Sequence, residues 1–379
     1  MSTEFFAEQK TQSLIKTEIL RKYFDVWSNI MVTRNKVAKL NYVDLFSGPG
    51  TYENGSPSTP MHIVGHCINS PKLHDKIVFL FNDKNKKAIE QLKVNVSSME
   101  NFGILKHEPI FLQSEVDENF TKLFNGKNLS PTFSFVDPFG YKGVTKQLIF
   151  SLIKDFGSDC IMFFNFNRVR MGITNQLVDQ HMKGIFGNEI HEYMKKVMPS
   201  MDKELKEPFI IEMLSQSLSN GGKNLVLPFK FVSETKNQTS HYIILISKST
   251  LGYQIMKDIM AKESTLQEEG IAGFSYIPVK HLKNRKSVQL SILDGYEESE
   301  MGKLKERILN NFKGNTLKMI ELFELDNIGT SYTKKNYKEA LRQLEESGLI
   351  IVNPPAIDRR MDRKNNVVSF GDNVTVSVI

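Results

Sequence analysis

The string YVDLFSGPG, residues 42–50, brings a carboxylate and a small-residue turn together. An apolar run leads into Ser47-Gly48-Pro49-Gly50, with Asp44 and Phe46 just ahead of the turn. Small residues let a backbone turn sharply and come close to a ligand. A carboxylate beside such a turn accepts hydrogen bonds from a cationic amino group or from loop N–H groups. A second carboxylate, Asp83, closes the run KIVFLFND (76–83). An acid there can accept both hydroxyls of a ribose; Asn82 or Asp83 could also cap a helix starting at Lys84. A third, Asp137, lies in FVDPFGYKG (135–143). It suits a substrate N–H, while Phe139 or Tyr141 could stack on a base and Lys142 could meet a phosphate. Pro138 and Gly140 would equally serve a plain turn. Asn165, Asn167 and Arg168 in FFNFNRVRMG (163–172) carry amides and a guanidinium that recognise bases or phosphates. Asx residues also end strands for local reasons. His241 falls near a strand start, where a lone histidine is usually structural. Gly48, Gly50 and Gly55 do not fit the dinucleotide spacing G-x-G-x-x-G.

These residues need a scaffold that places strand ends side by side. Five apolar runs, 42–46, 76–83, 109–113, 132–137 and 160–166, alternate with helical segments at about 59–69, 84–99, 116–125 and 145–155. Runs apolar on both faces suit a buried parallel sheet, and the alternation implies a doubly wound α/β fold. A leading helix at 12–32 sets Leu14, Ile15, Ile19, Leu20, Tyr23, Phe24, Trp27 and Ile30 on one face and Lys16, Glu18, Arg21, Lys22 and Asp25 on the other. Residues 175–220 read as a helical insertion. Strands at 224–233 and 240–247 extend the sheet as an antiparallel pair, and 252–264 reads as a helix. Residues 265–297 are mixed, with basic Lys280, Lys283, Arg285 and Lys286.

The domain boundary is expected near 297, giving domains 1–297 and 298–379. Helices at 299–313, 316–324 and 331–347, then LIIV (349–352) and VVSF (367–370), make a winged helix-turn-helix pattern. On the third helix Tyr337, Leu341 and Leu344 face a core. Lys334, Lys338 and Arg342 would share the open face. The loop between the two strands adds Arg359, Arg360, Arg363 and Lys364, a layout suited to phosphates.

Composition sets outer limits. Net charge is +6, which permits an acidic partner without requiring one. Two cysteines, Cys67 and Cys160, are too few for a disulfide framework or a metal cluster of their own. No metal-ligand spacing, membrane-length apolar run or signal peptide is evident, and a cytoplasmic location is expected.

The string DLFSGPG resembles the first motif of class I methyltransferases, which use that loop to hold the methionine part of S-adenosylmethionine. At the fourth strand, amino-methyltransferases carry Asp/Asn/Ser-Pro-Pro-Tyr/Phe; this chain has Asp-Pro-Phe-Gly-Tyr, without the second proline. Over most of its length the sequence resembles the three-Cys-motif partner (TcmP) proteins. The matching strings include EQKTQSLIKTEILRKYFDVW (8–27), YVDLFSGPGTYENGSPSTP (42–60), VDPFGYKG (136–143), TSHYIILIS (239–247) and GTSYTKKNYKEALRQLEESG (329–348). The resemblance implies a Rossmann-like methyltransferase-type domain, a winged-helix tail and a partner protein with a three-cysteine motif of radical S-adenosylmethionine or iron–sulfur character. The expected function is methyl transfer to nucleic acid. Asp44, Phe46, Ser47, Gly48, Gly50 and Asp83 would hold cofactor, and Asp137, Phe139 and Tyr141 the target. The alternative is a non-catalytic nucleic-acid-binding or scaffold protein serving that partner.

Overall fold

The computed structural model describes residues 3–126, 128–233, 235–278, 281, 299–362 and 367–379. The chain divides into two compact units, Met1–Glu263 and Ser264–Ile379. The expected boundary at 297 lies outside the described residues. Residues 269–271 already belong to the second unit. Ile271 joins its apolar core, and Gly270 O accepts from Asn336 Nδ2 at 2.9 Å.

In the first unit, five strands run parallel: β1 (Leu40–Asp44), β2 (Ile77–Asn82), β3 (Ile110–Leu112), β4 (Thr132–Val136) and β5 (Asp159–Phe164). Strand β7 (Thr239–Ser247) pairs antiparallel with both β5 and β6 (Leu225–Val232). The order is therefore β3-β2-β1-β4-β5-β7-β6. The order reverses between β1 and β4, and in open α/β sheets ligands bind at the carboxyl ends beside such a switch point. Strand β1 ends at Asp44, two residues before the expected end at Phe46, so Leu45 and Phe46 already belong to the turn.

One sheet face is aromatic. Tyr42, Phe79, Phe81 and Phe133 are buried, and the Tyr42 and Phe133 rings stack at 6.0 Å. Helix α1 (Thr3–Thr33) covers this face, with Phe24 edge-on to Phe133 at 5.3 Å and Trp27 at 5.6 Å from it. Tyr23 donates to Asp159 Oδ2 at 2.7 Å, and the Trp27 indole donates to Gly157 O at 2.8 Å. Leu14, expected on the apolar face, is exposed. Side chains alternate along a strand. Tyr42 and Asp44 therefore share the α1 face of β1, as Phe133 and Phe135 do on β4.

The other face packs on helices α4 (Glu118–Asn125) and α5 (Lys146–Ile153) and on the insertion. The insertion is helical, as expected: α7 (Asp179–Phe186), α8 (Asn188–Val197) and α9 (Lys203–Ser219). Between β5 and the insertion, Phe166–Gly172 forms α6. Helices α2 (Thr59–Ile68) and α3 (Lys86–Ser97) follow β1 and β2, and α10 (Thr250–Glu263) follows β7. Among the described residues, no helix is long and apolar enough to cross a membrane.

The second unit holds helices Glu300–Phe312, Met319–Asp326 and Lys334–Glu346. Residues 316–318, expected to be helical, form a strand instead. Ile350–Asn353 pairs with Thr375–Val378 and not with 367–370. Met361–Asp362 and Val367–Val368 form a separate ribbon. Register explains the exchange: Val376 and Val378 alternate into the same core as Ile350 and Val352.

Candidate active site

Two adjoining cavities open at the carboxyl ends of β1, β2, β4 and β5. The larger, about 760 Å³, lies between the Gly48-Pro49 turn, the end of β2, the Ser114–Val116 segment and the loop after β4. The smaller, about 410 Å³, lies on the α1 side and is lined by Lys16, Asp44, Ser58, Asp137, Asn165 and His241. Phe46, Gly48, Pro49, Pro138, Phe139 and Arg168 border both. Both volumes suit small ligands.

Around the larger cavity, Asp83 Oδ2 accepts from Gly48 N at 3.0 Å and Oδ1 from Asn85 N at 2.8 Å. Asp83 thus ties the glycine turn to the start of α3. The cap of α3 is Asn85, not Asn82 or Asp83, and the helix starts at Lys86. Asn82 is fully buried. Its two amide hydrogens go to Leu45 O at 3.0 Å and Ser114 O at 3.1 Å, while its Oδ1 has no hydrogen-bond partner among the described residues. The two carbonyl acceptors fix the amide orientation, because a flip would set oxygen against oxygen. A buried acceptor left unpaired costs about 1–3 kcal/mol, so a ligand donor at Oδ1 would recover that penalty.

The smaller cavity is charged. Asp44 is 1% exposed and accepts from Phe46 N at 3.2 Å and from the Tyr42 hydroxyl at 3.4 Å. Burial pushes its pKa up to about 7; the Phe46 N–H opposes this, and nearby Asp137 adds to it. Lys16 donates to Asp137 Oδ2 at 2.8 Å, with its ammonium 4.7 Å from the Phe163 ring centre. Burial works against the charged Lys16, but Asp137, with smaller contributions from Tyr52 and Asp44, more than offsets it and the pKa sits above the usual lysine value. The Ser58 hydroxyl is buried without a partner among the described residues. His241 stacks on Phe163 at 4.6 Å and 7°, and burial lowers its pKa to about 4.

The predicted residues are thus divided. Asp137 lies in the smaller cavity, while Tyr141 and Lys142 line the larger one. Phe139 borders both and is 98% exposed. Tyr141 packs against the core and near His181. Ser47 lines the smaller cavity and donates its hydroxyl to Asn82 O at 3.1 Å. Gly50 borders neither cavity: it packs on Leu92 and Met61. Asn165 caps α6 by accepting from Arg168 N at 3.1 Å, and Asn167 reaches neither cavity.

Lys16 does not sit on the solvent face assigned to it. It shares a helical face with Leu20, Tyr23 and Trp27 at spacings of four, seven and eleven residues. That spacing was the available signal. Asn82 and Ser58 had none, because their importance lies in an unmet hydrogen bond.

Asp179, His191 and Glu192 in the insertion bring potential ligand atoms within 4.8 Å of one another. No sequence spacing suggested this group. Lys183 at 2.7 Å and Lys195 at 3.1 Å already pair with Asp179, and Lys195 with Glu192 at 2.9 Å.

In the second unit the expected phosphate-facing cations are engaged internally. Lys334 and Lys338 pair with Asp372 at 3.1 and 2.6 Å. Arg342 pairs with Glu339 and donates to Val368 O at 3.1 Å. Arg359 is buried, paired with Glu345 and set over the Phe370 ring. Arg360 is exposed; Arg363, Lys364 and the patch Lys280, Lys283, Arg285 and Lys286 lie outside the described residues.

Residues 287–357 match the family described as the GMT-like wHTH domain. No curated protein matches the chain by sequence. Among solved structures, the chain is similar to the methyltransferase domain of bacterial CtHen1-C, at 9% identity, covering 62% of this chain and 98% of that one, with a TM-score of 0.29. It is similar to an rRNA methylase from Streptococcus thermophilus at 9% identity, covering 56% and 87%, TM-score 0.29. A SAM-dependent methyltransferase from Agrobacterium tumefaciens gives 10% identity, 60% and 62% coverage, and a TM-score of 0.32. The fold is α/β, with a mainly parallel, Rossmann-type sheet and a C-terminal winged helix-turn-helix domain.

Proposed function

We propose that this protein binds S-adenosylmethionine across the two cavities and transfers its methyl group to a nucleic acid, in concert with a three-cysteine-motif protein. The observation that carries this reading is the pair of cavities meeting at Gly48-Pro49, with Asp83 in one and Asp44 in the other. The residues fit the cofactor. Asp83 keeps unused lone pairs for ribose hydroxyls, and the unpaired Asn82 Oδ1 offers a further acceptor. Asp44 suits the amino group and Ser58 offers a buried hydroxyl. When bound, the cofactor supplies an activated methyl group. Asp137 orients the target N–H, and the exposed Phe139 with Arg168 provides a stacking and phosphate-facing rim. Positioning is the main catalytic contribution of such a site.

The test is titration calorimetry with S-adenosylmethionine across pH 5.5–8.5. Ionised Asp44 favours an ammonium ligand, so affinity should rise with pH and level off above about 7. Fold stability should respond in the opposite sense. The folded pKa of Asp44 lies above its ordinary value of 3.8, so its contribution is full below that value and is lost as pH rises through about 7. Asp44→Asn should therefore flatten both trends. Asp83→Ala should weaken binding by about 1–3 kcal/mol. No binding at millimolar cofactor would sink the proposal.

A second reading keeps the fold as a non-catalytic partner of the cysteine-motif protein. The internal pairing of Lys334, Lys338, Arg342 and Arg359 favours it, because those cations are not free for phosphates. Duplex binding measured against salt separates the readings. Each phosphate contact contributes a log–log slope of about −0.9. If the third helix contacts phosphate, Asp372→Ala should release Lys334 and Lys338 and steepen that slope by about two contacts. An unchanged slope assigns the tail to protein docking.

A further inference from the structure

We propose that His241 accepts the proton that the target gives up when it is methylated, making it a catalytic residue of the smaller cavity. This rests on the methyltransferase reading above. Two other histidines give the contrast, His191 buried and His74 half-buried. His74 Nε2 is satisfied by Ile68 O at 2.8 Å, and His191 Nε2 by Ile173 O at 2.9 Å. Each of these two rings thus spends a nitrogen on a backbone carbonyl. His241 makes no hydrogen bond among the described residues. Its ring is held instead by stacking on Phe163, so its nitrogens remain available on the cavity wall shared with Asp137.

Three other acceptors around that cavity already carry a partner, while the unpaired Ser58 hydroxyl is too weakly basic to hold a proton near neutral pH. Asp137 Oδ2 holds Lys16 at 2.8 Å. Asn165 Oδ1 holds Arg168 N at 3.1 Å. Asp44 is 1% exposed and accepts from Phe46 N and Tyr42. Burial keeps the imidazole neutral at physiological pH, with a lone pair free. In the step, a lone pair on the target nitrogen or oxygen bonds to the methyl carbon of S-adenosylmethionine. The carbon–sulfur bond breaks and its electron pair stays on sulfur. The target N–H or O–H bond breaks, and its proton passes to the imidazole and then to solvent.

The experiment uses the full chain, tritiated-methyl S-adenosylmethionine, and RNA and DNA from cells lacking the gene. H241A and H241Q are compared with wild type, with cofactor affinity measured by calorimetry in parallel. Both variants should bind cofactor like wild type and lose about a hundredfold in transfer rate. Added imidazole should restore part of the H241A rate, an effect that a purely structural histidine would not give. Transfer by H241Q near the wild-type rate, or a loss in H241A that imidazole leaves unchanged, overturns the proposal while leaving the methyltransferase reading standing. A wild type that binds no cofactor, or binds it and methylates neither nucleic acid, overturns both.

Discussion

Asp137→Ala should cut methyl transfer by about a hundredfold or more while leaving cofactor affinity nearly unchanged. It should also destabilise the fold, because Lys16 would lose its only ion-pair partner among the described residues. Breaking a buried pair costs about 3–5 kcal/mol. The side chains are 12% and 24% exposed, so the lower end of that range is expected. Lys16→Met on the Asp137→Ala background should recover most of the lost stability and none of the lost transfer. Chemical denaturation of the two single variants and the double variant gives the coupling, and a double-mutant cycle with no coupling would dismiss the pair as an energetic unit. If cofactor affinity falls in step with transfer while the fold stays intact, Asp137 belongs to the cofactor instead.

Gly50→Ala should lower stability by about 3 kcal/mol. Its φ of +87° is left-handed, and an added Cβ would lie 2.7 Å from Leu92 Cδ1 and 3.3 Å from Met61 Sδ. Left-handed strain costs about 1–2 kcal/mol and overpacking about 1–3 kcal/mol. Gly48 has a φ of +61°, but a Cβ there meets nothing within 4 Å. Gly48→Ala should therefore cost only about 1 kcal/mol. Gly48 borders both cavities, so its variant should lose ligand affinity out of proportion to stability. Urea midpoints and calorimetry on the two variants test this division. Equal stability losses would mean that the packing against Leu92 and Met61 carries no weight.

Much of this architecture was legible in the sequence for a physical reason. Strands buried on both faces write continuous apolar runs, as in CIMFF of β5, where Cys160, Ile161, Met162 and Phe164 are buried. The turn at Gly48 and the acids at Asp44, Asp83 and Asp137 were readable because strand ends sit where such runs stop. What escaped depends on side-chain direction and on partners distant in sequence. Lys16 looks like any solvated lysine until Asp137 meets it across the fold. Gly50 looks like a ligand-approach glycine until Leu92 is seen against it. Lys334 and Lys338 read as a phosphate-facing stripe, yet Asp372, over thirty residues later, holds both. The final strand was missed because TVSV is short and alternating, while the VVSF run upstream looks the more apolar.

The smaller cavity draws Lys16, Asp44, Asp137 and His241 from four separated stretches of the chain. Strand β7, which supplies His241, inserts between β5 and β6 and so must pair with a strand made about eighty residues earlier. During synthesis, α1 and the first five strands leave the ribosome well before this partner exists. Closing so long a loop is slow relative to local helix formation. The nascent chain thus passes through a stage with β5 as an open edge and the charged cavity lacking one wall. Ligand affinity should arise late in translation, and chains stalled before residue 247 should present β5 as a site for chaperone capture or aggregation.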